Sequence, residues 1–421
     1  MASEVTVPPV KPVAPATAGR WALMLAVLGP GLIVMLADTD AGSVITAAQS
    51  GAQWGYEMVL PQLILIPILY IIQEITIRLG MVTGEGHGSL IRRHFGLRWA
   101  LLSASTLFLS SIGALITEFA GIAGVGELFH VSPWCTIPLA TALLIGVAVA
   151  GSYTKAERIG IGVGLFELAF IPAAIMAHPS GQALWQGLQV LPLNNPQYVF
   201  LLAANVGAVI MPWMIFYQQG AVVDKRLRSE HLPMARVDTA IGAIVTQTIM
   251  IVVVVALAAV VARLHTSPEL NTVGEIAAGL LPVIGWTGAK VLFGLGILGA
   301  AFTAALVSSL AGAWGISEVF GWKHSLSDPV PHAKPFYWAY SLAHIAGAGL
   351  VLASINLVAL TVDVEVMNAM LLPIVLGFLL LLEAKALPVR YRMKGAYKYT
   401  VWSLSAVVIG FGLYMGAITI L

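Results

Sequence analysis

A chain of 421 residues with 59% hydrophobic and only 10% charged residues is far more apolar than a soluble protein, in which about a quarter of the residues carry charge. The composition therefore requires a polytopic membrane protein, with the lipid bilayer as its surroundings and no nucleic acid expected as a partner. The formal net charge of +1 carries little information, because in such a chain the placement of charge matters more than its sum.

In chain order, residues 1–20 are rich in Pro, Ala and Val and read as a flexible cytoplasmic tail with no cleavable signal. Bilayer-length hydrophobic windows then predict about eleven spans, at 24–50, 58–79, 100–125, 134–151, 159–177, 198–222, 238–263, 288–316, 336–356, 365–384 and 400–420. The first and sixth are interrupted. The first reads Gly29-Pro30-Gly31 and then Ala37-Asp38-Thr39-Asp40-Ala41-Gly42-Ser43, and the sixth reads Asn205-Val206-Gly207-Ala208-Val209-Ile210-Met211-Pro212-Trp213. An interruption in lipid is tolerated only where it is buried in protein or lines a polar cavity, so two carboxylates at such a break point to a cation site.

Topology follows from the basic residues. With the N-terminus inside, 19 of the 21 Lys and Arg residues fall on the inner side and only Arg263 and Lys290 on the outer, as the positive-inside bias requires. The C-terminus is then expected outside. The broken spans are five apart, an odd number, so a second block of five enters the membrane inverted, which is the plan of one large class of secondary transporters. The expected organisation is a single transmembrane domain over 21–421, with repeat one at about 21–180, repeat two at about 195–385 and an extra helix at about 398–420.

Several stretches then resemble one family. Gly29-Pro30-Gly31-Leu32, Asp40-Ala41-Gly42-Ser43, Gly51-Ala52-Gln53-Trp54-Gly55-Tyr56, Arg78-Leu79-Gly80-Met81-Val82-Thr83-Gly84 and Met211-Pro212 are similar to the signatures of the Nramp metal transporters, in order and at fitting distances from about Trp21 onward. The resemblance implies an all-α LeuT-type fold, an inverted 5+5 repeat with helices 1 and 6 unwound at the midplane. It implies alternating access for a divalent metal ion, usually with protons, and neither an enzymatic activity nor a resident cofactor. A monomer is expected.

In the family, the Asp and Asn of an Asp-Pro-Gly-Asn motif bind the metal. Here Asp40 matches the Asp, Ala41 replaces Pro and Ser43 replaces Asn. On the sixth helix the family uses an Ala carbonyl and a Met sulfur, matched by Ala208 and Met211. The implied metal ligands are thus Asp40, Ser43, Ala208 and Met211. A hydroxyl in place of an amide leaves room for an ion that keeps some water, as Mg²⁺ does. Met211 pulls toward softer metals, unless it only fills space beside Pro212.

The family's proton relay is largely missing. Trp213 and Gln218 stand where two His occur, Leu115 replaces the Asp that precedes Glu118, and 337–355 contains no Arg. These losses resemble the prokaryotic Nramp-related magnesium transporters, and imply uncoupled transport of Mg²⁺ and Mn²⁺. The alternatives are a proton-coupled Mn²⁺/Fe²⁺ carrier and a non-transporting metal sensor. A sodium or amino-acid symporter of the same fold fits less well.

Other polar groups carry two readings each. Asp38 is a supporting residue or a helix-end cap. Glu118, mid-span, is functional or a protonated Glu bonded to a neighbouring helix. Glu365 aligns with a family Gln that approaches the metal, but its place beside Asp363 favours a surface loop. Glu167, after Gly160, Gly162 and Gly164, reads as a tether between helices, and Glu74 with Arg78 as an intrahelical ion pair. His265, His324, His332 and His344 read as interfacial. Trp99, Trp134, Trp286, Trp322 and Trp338 mark span ends, 391–399 reads as a basic loop, and Cys135 as a small apolar residue near a helix end.

Overall fold

A computed structural model describes residues 29–150, 153–264 and 289–420, except 325, 327 and 355, together with 270, 273, 275 and 276. The tail at 1–20, the start of the first span, His265 and Trp286 lie outside the described residues.

Gly and Pro punctuate the first span. Pro30 opens α1 (Pro30–Asp38), where a missing N–H costs nothing. The free N–H groups of Gly29 and Gly31 donate to Asp238, at 3.3 and 2.7 Å, so a distant carboxylate caps this helix. Helix α2 (Ala41–Trp54) starts afresh after Thr39, with Asp40 as its N-cap accepting from the Ser43 N–H at 2.5 Å. The sixth span follows the same logic. Helix α3 (Pro196–Val209) stops before Ile210 and Met211, and α4 (Pro212–Asp224) begins with Pro212 at its first position. Proline cannot donate back along the helix, so the chain breaks there.

Around these two broken pairs stand α5 (Val59–Thr83), α6 (Leu97–Leu128), α7 (Leu232–Leu264), α8 (Gly294–Phe320) and α9 (Leu357–Ala386). Helix α7 packs on α1, α2 and α5, α8 runs along α6, and α9 lies on α3. The last approach is close: a Cβ at Gly207 would strike the Glu365 carbonyl, and only glycine allows it. On the outside lie α10 (Pro133–Val149), α11 (Tyr153–Gly164), α12 (Lys334–Ala353) and α13 (Gly395–Ile420).

Among the described residues, nine segments are long and apolar enough to cross a membrane. They become the eleven expected spans once Ala41–Thr83 is divided at the Gly55–Met58 turn and the shorter Pro133–Val149 is added. Trp99, Trp134, Trp322 and Trp338 are exposed at helix ends, where an aromatic belt sits.

Three expectations need correction. The tenth span starts at Leu357 rather than 365, which lifts Glu365 out of its supposed surface loop and buries it completely within α9. His344 is not interfacial: it is fully buried within α12, against Phe119 and Tyr340. The basic run at 391–399 is only partly loop, since α13 begins at Gly395. A further difference lies in the fifth span, where α11 gives way to a tight 3-10 stretch, Leu165–Ala169, before Phe170–Met176 resumes as α-helix. Pro172 accounts for it, because its ring excludes a regular turn over the residue-168 carbonyl.

The Glu74–Arg78 pair forms at 3.0 Å and is buried. It is larger than the sequence suggests: Arg236 of α7 reaches the same carboxylate at 2.7 Å and Tyr397 of α13 at 3.2 Å, while Arg78 also donates to the Tyr391 carbonyl at 2.9 Å.

Candidate functional site

The two breaks meet at the centre of the bundle. Ser43 Oγ donates to the Ala208 carbonyl at 2.9 Å, joining the start of α2 to the end of α3. Asp40, Ser43, Ala208 and Met211 are all fully buried. One oxygen of Asp40 holds the Ser43 N–H, and the other, Oδ2, has no hydrogen-bond partner. A buried carboxylate oxygen without a donor is costly unless a cation or proton meets it.

Two further carboxylates converge on the same helix start. Glu118 of α6 accepts from the Ala41 N–H at 3.1 Å and from the Thr117 hydroxyl at 3.1 Å. Glu365 of α9 aims Oε1, which lacks a partner, at Gly42, where a Cβ would collide with it. Its other oxygen accepts from Asn368 at 3.0 Å, and Asn368 in turn accepts from Ser110 at 2.8 Å. Free N–H groups and the positive end of the α2 dipole explain why three carboxylates can share this place. Sequence reasoning missed Asn368 and Ser110; Asn368 stands three residues after Glu365, the spacing of neighbours on one helix face.

Asp38 closes α1 on the other side of the break. It is buried, with a long 3.5 Å contact from Thr246 to Oδ2 and nothing on Oδ1. Asp40, not Asp38, is the helix cap. Between the two, Thr39 hydrogen-bonds the Thr246 hydroxyl.

Met211 is also committed. Its Sδ accepts from the Trp213 indole N–H at 3.1 Å. Gln218, like Trp213 at a position where the family has His, donates to Thr239 at 3.0 Å, and Leu115 is buried without polar function. Among the described residues, no three of His, Cys, Asp and Glu form a ready-made metal cage. The donors that meet here are mixed: a carboxylate, a hydroxyl, a carbonyl and a thioether.

The centre is buried, and a cavity lies toward each end of the bundle. One of about 650 Å³ lies between the end of α2 and the starts of α3 and α9, lined by Gln49, Gln53 and Asp363. The other, about 400 Å³, lies past the end of α4 and holds Asp224, Glu318, His324 and Asp328.

A helical membrane bundle with two broken spans meeting at a buried, carboxylate-lined centre is a multi-pass membrane protein of the LeuT-type transporter fold. Solved structures agree: the Eremococcus coleocola manganese transporter superposes with a TM-score of 0.74 at 17% identity, covering 95% of this chain and 88% of that one. MhsT, solved with L-phenylalanine, does so at 0.64 and 14% identity over 95% and 98%. The family model for natural resistance-associated macrophage protein-like proteins matches residues 31–417, and the chain belongs to the Nramp family, which are transporters rather than enzymes. A relative from Burkholderia ambifaria, named divalent metal cation transporter MntH, is 24% identical over 94% of this chain and 89% of its own.

Proposed function

We propose that this protein carries divalent metal cations across the membrane by alternating access through Asp40, Ser43, the Ala208 carbonyl and Met211, with Asp38, Glu118 and Glu365 in support. Its cargo is a hard ion, Mg²⁺ with Mn²⁺, moved without a stoichiometric proton. The observation that carries the choice of ion is the Trp213–Met211 hydrogen bond: the indole N–H engages one of the two lone pairs of the soft donor and weakens it as a ligand, so the oxygen donors dominate, and these suit Mg²⁺ and Mn²⁺ over softer metals. Ser43, too short to replace an amide, leaves space for retained water. A cavity toward each end of the bundle, with a buried centre between them, supports alternating access.

Proton-coupled Mn²⁺ or Fe²⁺ transport is the competing reading. The names of the similar proteins, a manganese transporter and a divalent metal cation transporter, favour it on the identity of the ion, and Glu118 is a buried carboxylate beside the site. Against it stand Trp213, Gln218 and Leu115, none of which can relay a proton. The charge asymmetry supports a cytoplasmic N-terminus and an outer C-terminus, and a centre built within one chain supports a monomer.

The test is uptake of Mg²⁺ and Mn²⁺ by the purified protein in liposomes, with internal pH followed at clamped voltage. Both ions should enter without acidification. Acidification that follows metal uptake and disappears in Glu118→Gln would establish the proton-coupled reading instead.

A further inference from the structure

We propose that Asn205 is a positioning residue that sets the width of the divalent site and thereby its preference for a small ion over Ca²⁺. The inference rests on the divalent-carrier reading above and extends it to a residue outside the proposed ligand set.

The proposed ligands are carried by two separate half-helices. Asp40 and Ser43 stand at the start of α2, while Ala208 lies in the last turn of α3 and Met211 follows it. At the centre the two helices are joined by the bond from the Ser43 hydroxyl to the Ala208 carbonyl. A metal entering between those two oxygens opens that bond. What then holds the helices at a fixed separation is a contact further along them, between groups outside the ligand set.

Asn205 makes that contact. It lies one turn before Ala208 on α3 and is buried together with Ser50 and Gln62. Its amide nitrogen donates to Ser50 Oγ of α2 at 2.7 Å and to the Leu201 carbonyl at 2.6 Å, and its oxygen accepts from Gln62 of α5 at 2.6 Å. Ser50 is two turns along α2 from Ser43 and donates its own proton to the Thr46 carbonyl at 2.8 Å. These partners fix the amide's orientation. A backbone carbonyl only accepts and the Ser50 proton is already engaged, so both need the NH₂ group, and the Gln62 donor needs the oxygen. An Asp in this place could not donate to Leu201, and a Leu could bond none of the three.

The clamp has support on both sides. Toward the far end of α2, the Trp54 ring meets Tyr198 of α3 edge-on at 5.1 Å, an apolar contact that tolerates sliding where the Asn205 bonds are directional. On the opposite face of α3, Gly207 lies against the Glu365 carbonyl of α9, so α3 has no room to yield in that direction. Width matters because ions differ in it. Mg²⁺ demands oxygen distances of about 2.0–2.1 Å in near-octahedral geometry, Ca²⁺ takes about 2.3–2.6 Å and more ligands, and cavity size and flexibility separate the two. Half-helices pinned one turn from the Ala208 carbonyl resist the widening that Ca²⁺ needs.

The experiment measures Mg²⁺ and Ca²⁺ binding by calorimetry to the purified full-length protein and to Asn205→Ala, with melting temperatures alongside. The ratio of Mg²⁺ to Ca²⁺ affinity should fall about fivefold or more in the variant, the worth of one net hydrogen bond. Ser50→Ala deletes a single hydroxyl and removes only the link to α2; it should lower the ratio in the same direction, and it keeps the proposal falsifiable if Asn205→Ala does not fold. An unchanged ratio in the folded variants overturns the proposal. So does parallel weakening of both ions with a lower melting temperature, the mark of a residue that serves the fold alone. Absence of divalent binding by the wild type refutes the carrier reading and this inference with it, whereas a wild type that binds Mg²⁺ and variants that keep its ratio refute this inference alone.

Discussion

Replacing Trp213 with Phe should make the site softer. The substitution keeps an aromatic ring and removes the indole N–H that lies 3.1 Å from Met211 Sδ. In the native protein the buried indole N–H draws on the same sulfur that a metal would use and competes with it. A net hydrogen bond is worth about 1 kcal/mol, or about fivefold in affinity. Cd²⁺, which uses sulfur well, should therefore gain about fivefold over Mg²⁺, which gains nothing. The lost ring also leaves a void costing about 1–3 kcal/mol of stability, to be read separately from the melting temperature. The assay is paired Cd²⁺ and Mg²⁺ binding by calorimetry, with uptake in proteoliposomes. A folded Trp213→Phe protein whose Cd²⁺ to Mg²⁺ ratio is unchanged would show that the sulfur was never restrained, and the argument for a hard cargo would lose its main support.

Asp40→Ala should abolish divalent uptake while the protein remains folded and inserted, because it removes the carboxylate with the unpartnered Oδ2; retained Mg²⁺ flux would refute its role. Ser43→Asn restores an amide ligand and should raise Mn²⁺ uptake relative to Mg²⁺, and an unchanged ratio would mean that other residues set the size of the site. Glu74→Gln strands Arg78, whose side chain is 5% exposed, and should cost about 3 kcal/mol; a melting temperature within error of wild type would show that Tyr391 and solvent suffice for Arg78.

Local chemistry made much of this protein legible in its sequence. Pro212 lacks the N–H that continues a helix, and the two carboxylates Asp38 and Asp40 interrupt an otherwise apolar span. Both breaks could be read within a few residues of chain, and the span pattern needed only hydropathy. What lay beyond reach was the rotation of each helix about its own axis. A span that is apolar all round gives no amphipathic stripe from which to infer its facing. The start of α9 at Leu357 is what buries Glu365, and nothing local announces that Glu167 comes to Thr39 or that the Trp213 indole engages Met211. Tertiary packing alone decided that Glu118 and Glu365 join Asp40 at the positive end of α2, because those neighbours come from helices more than seventy residues apart in the chain.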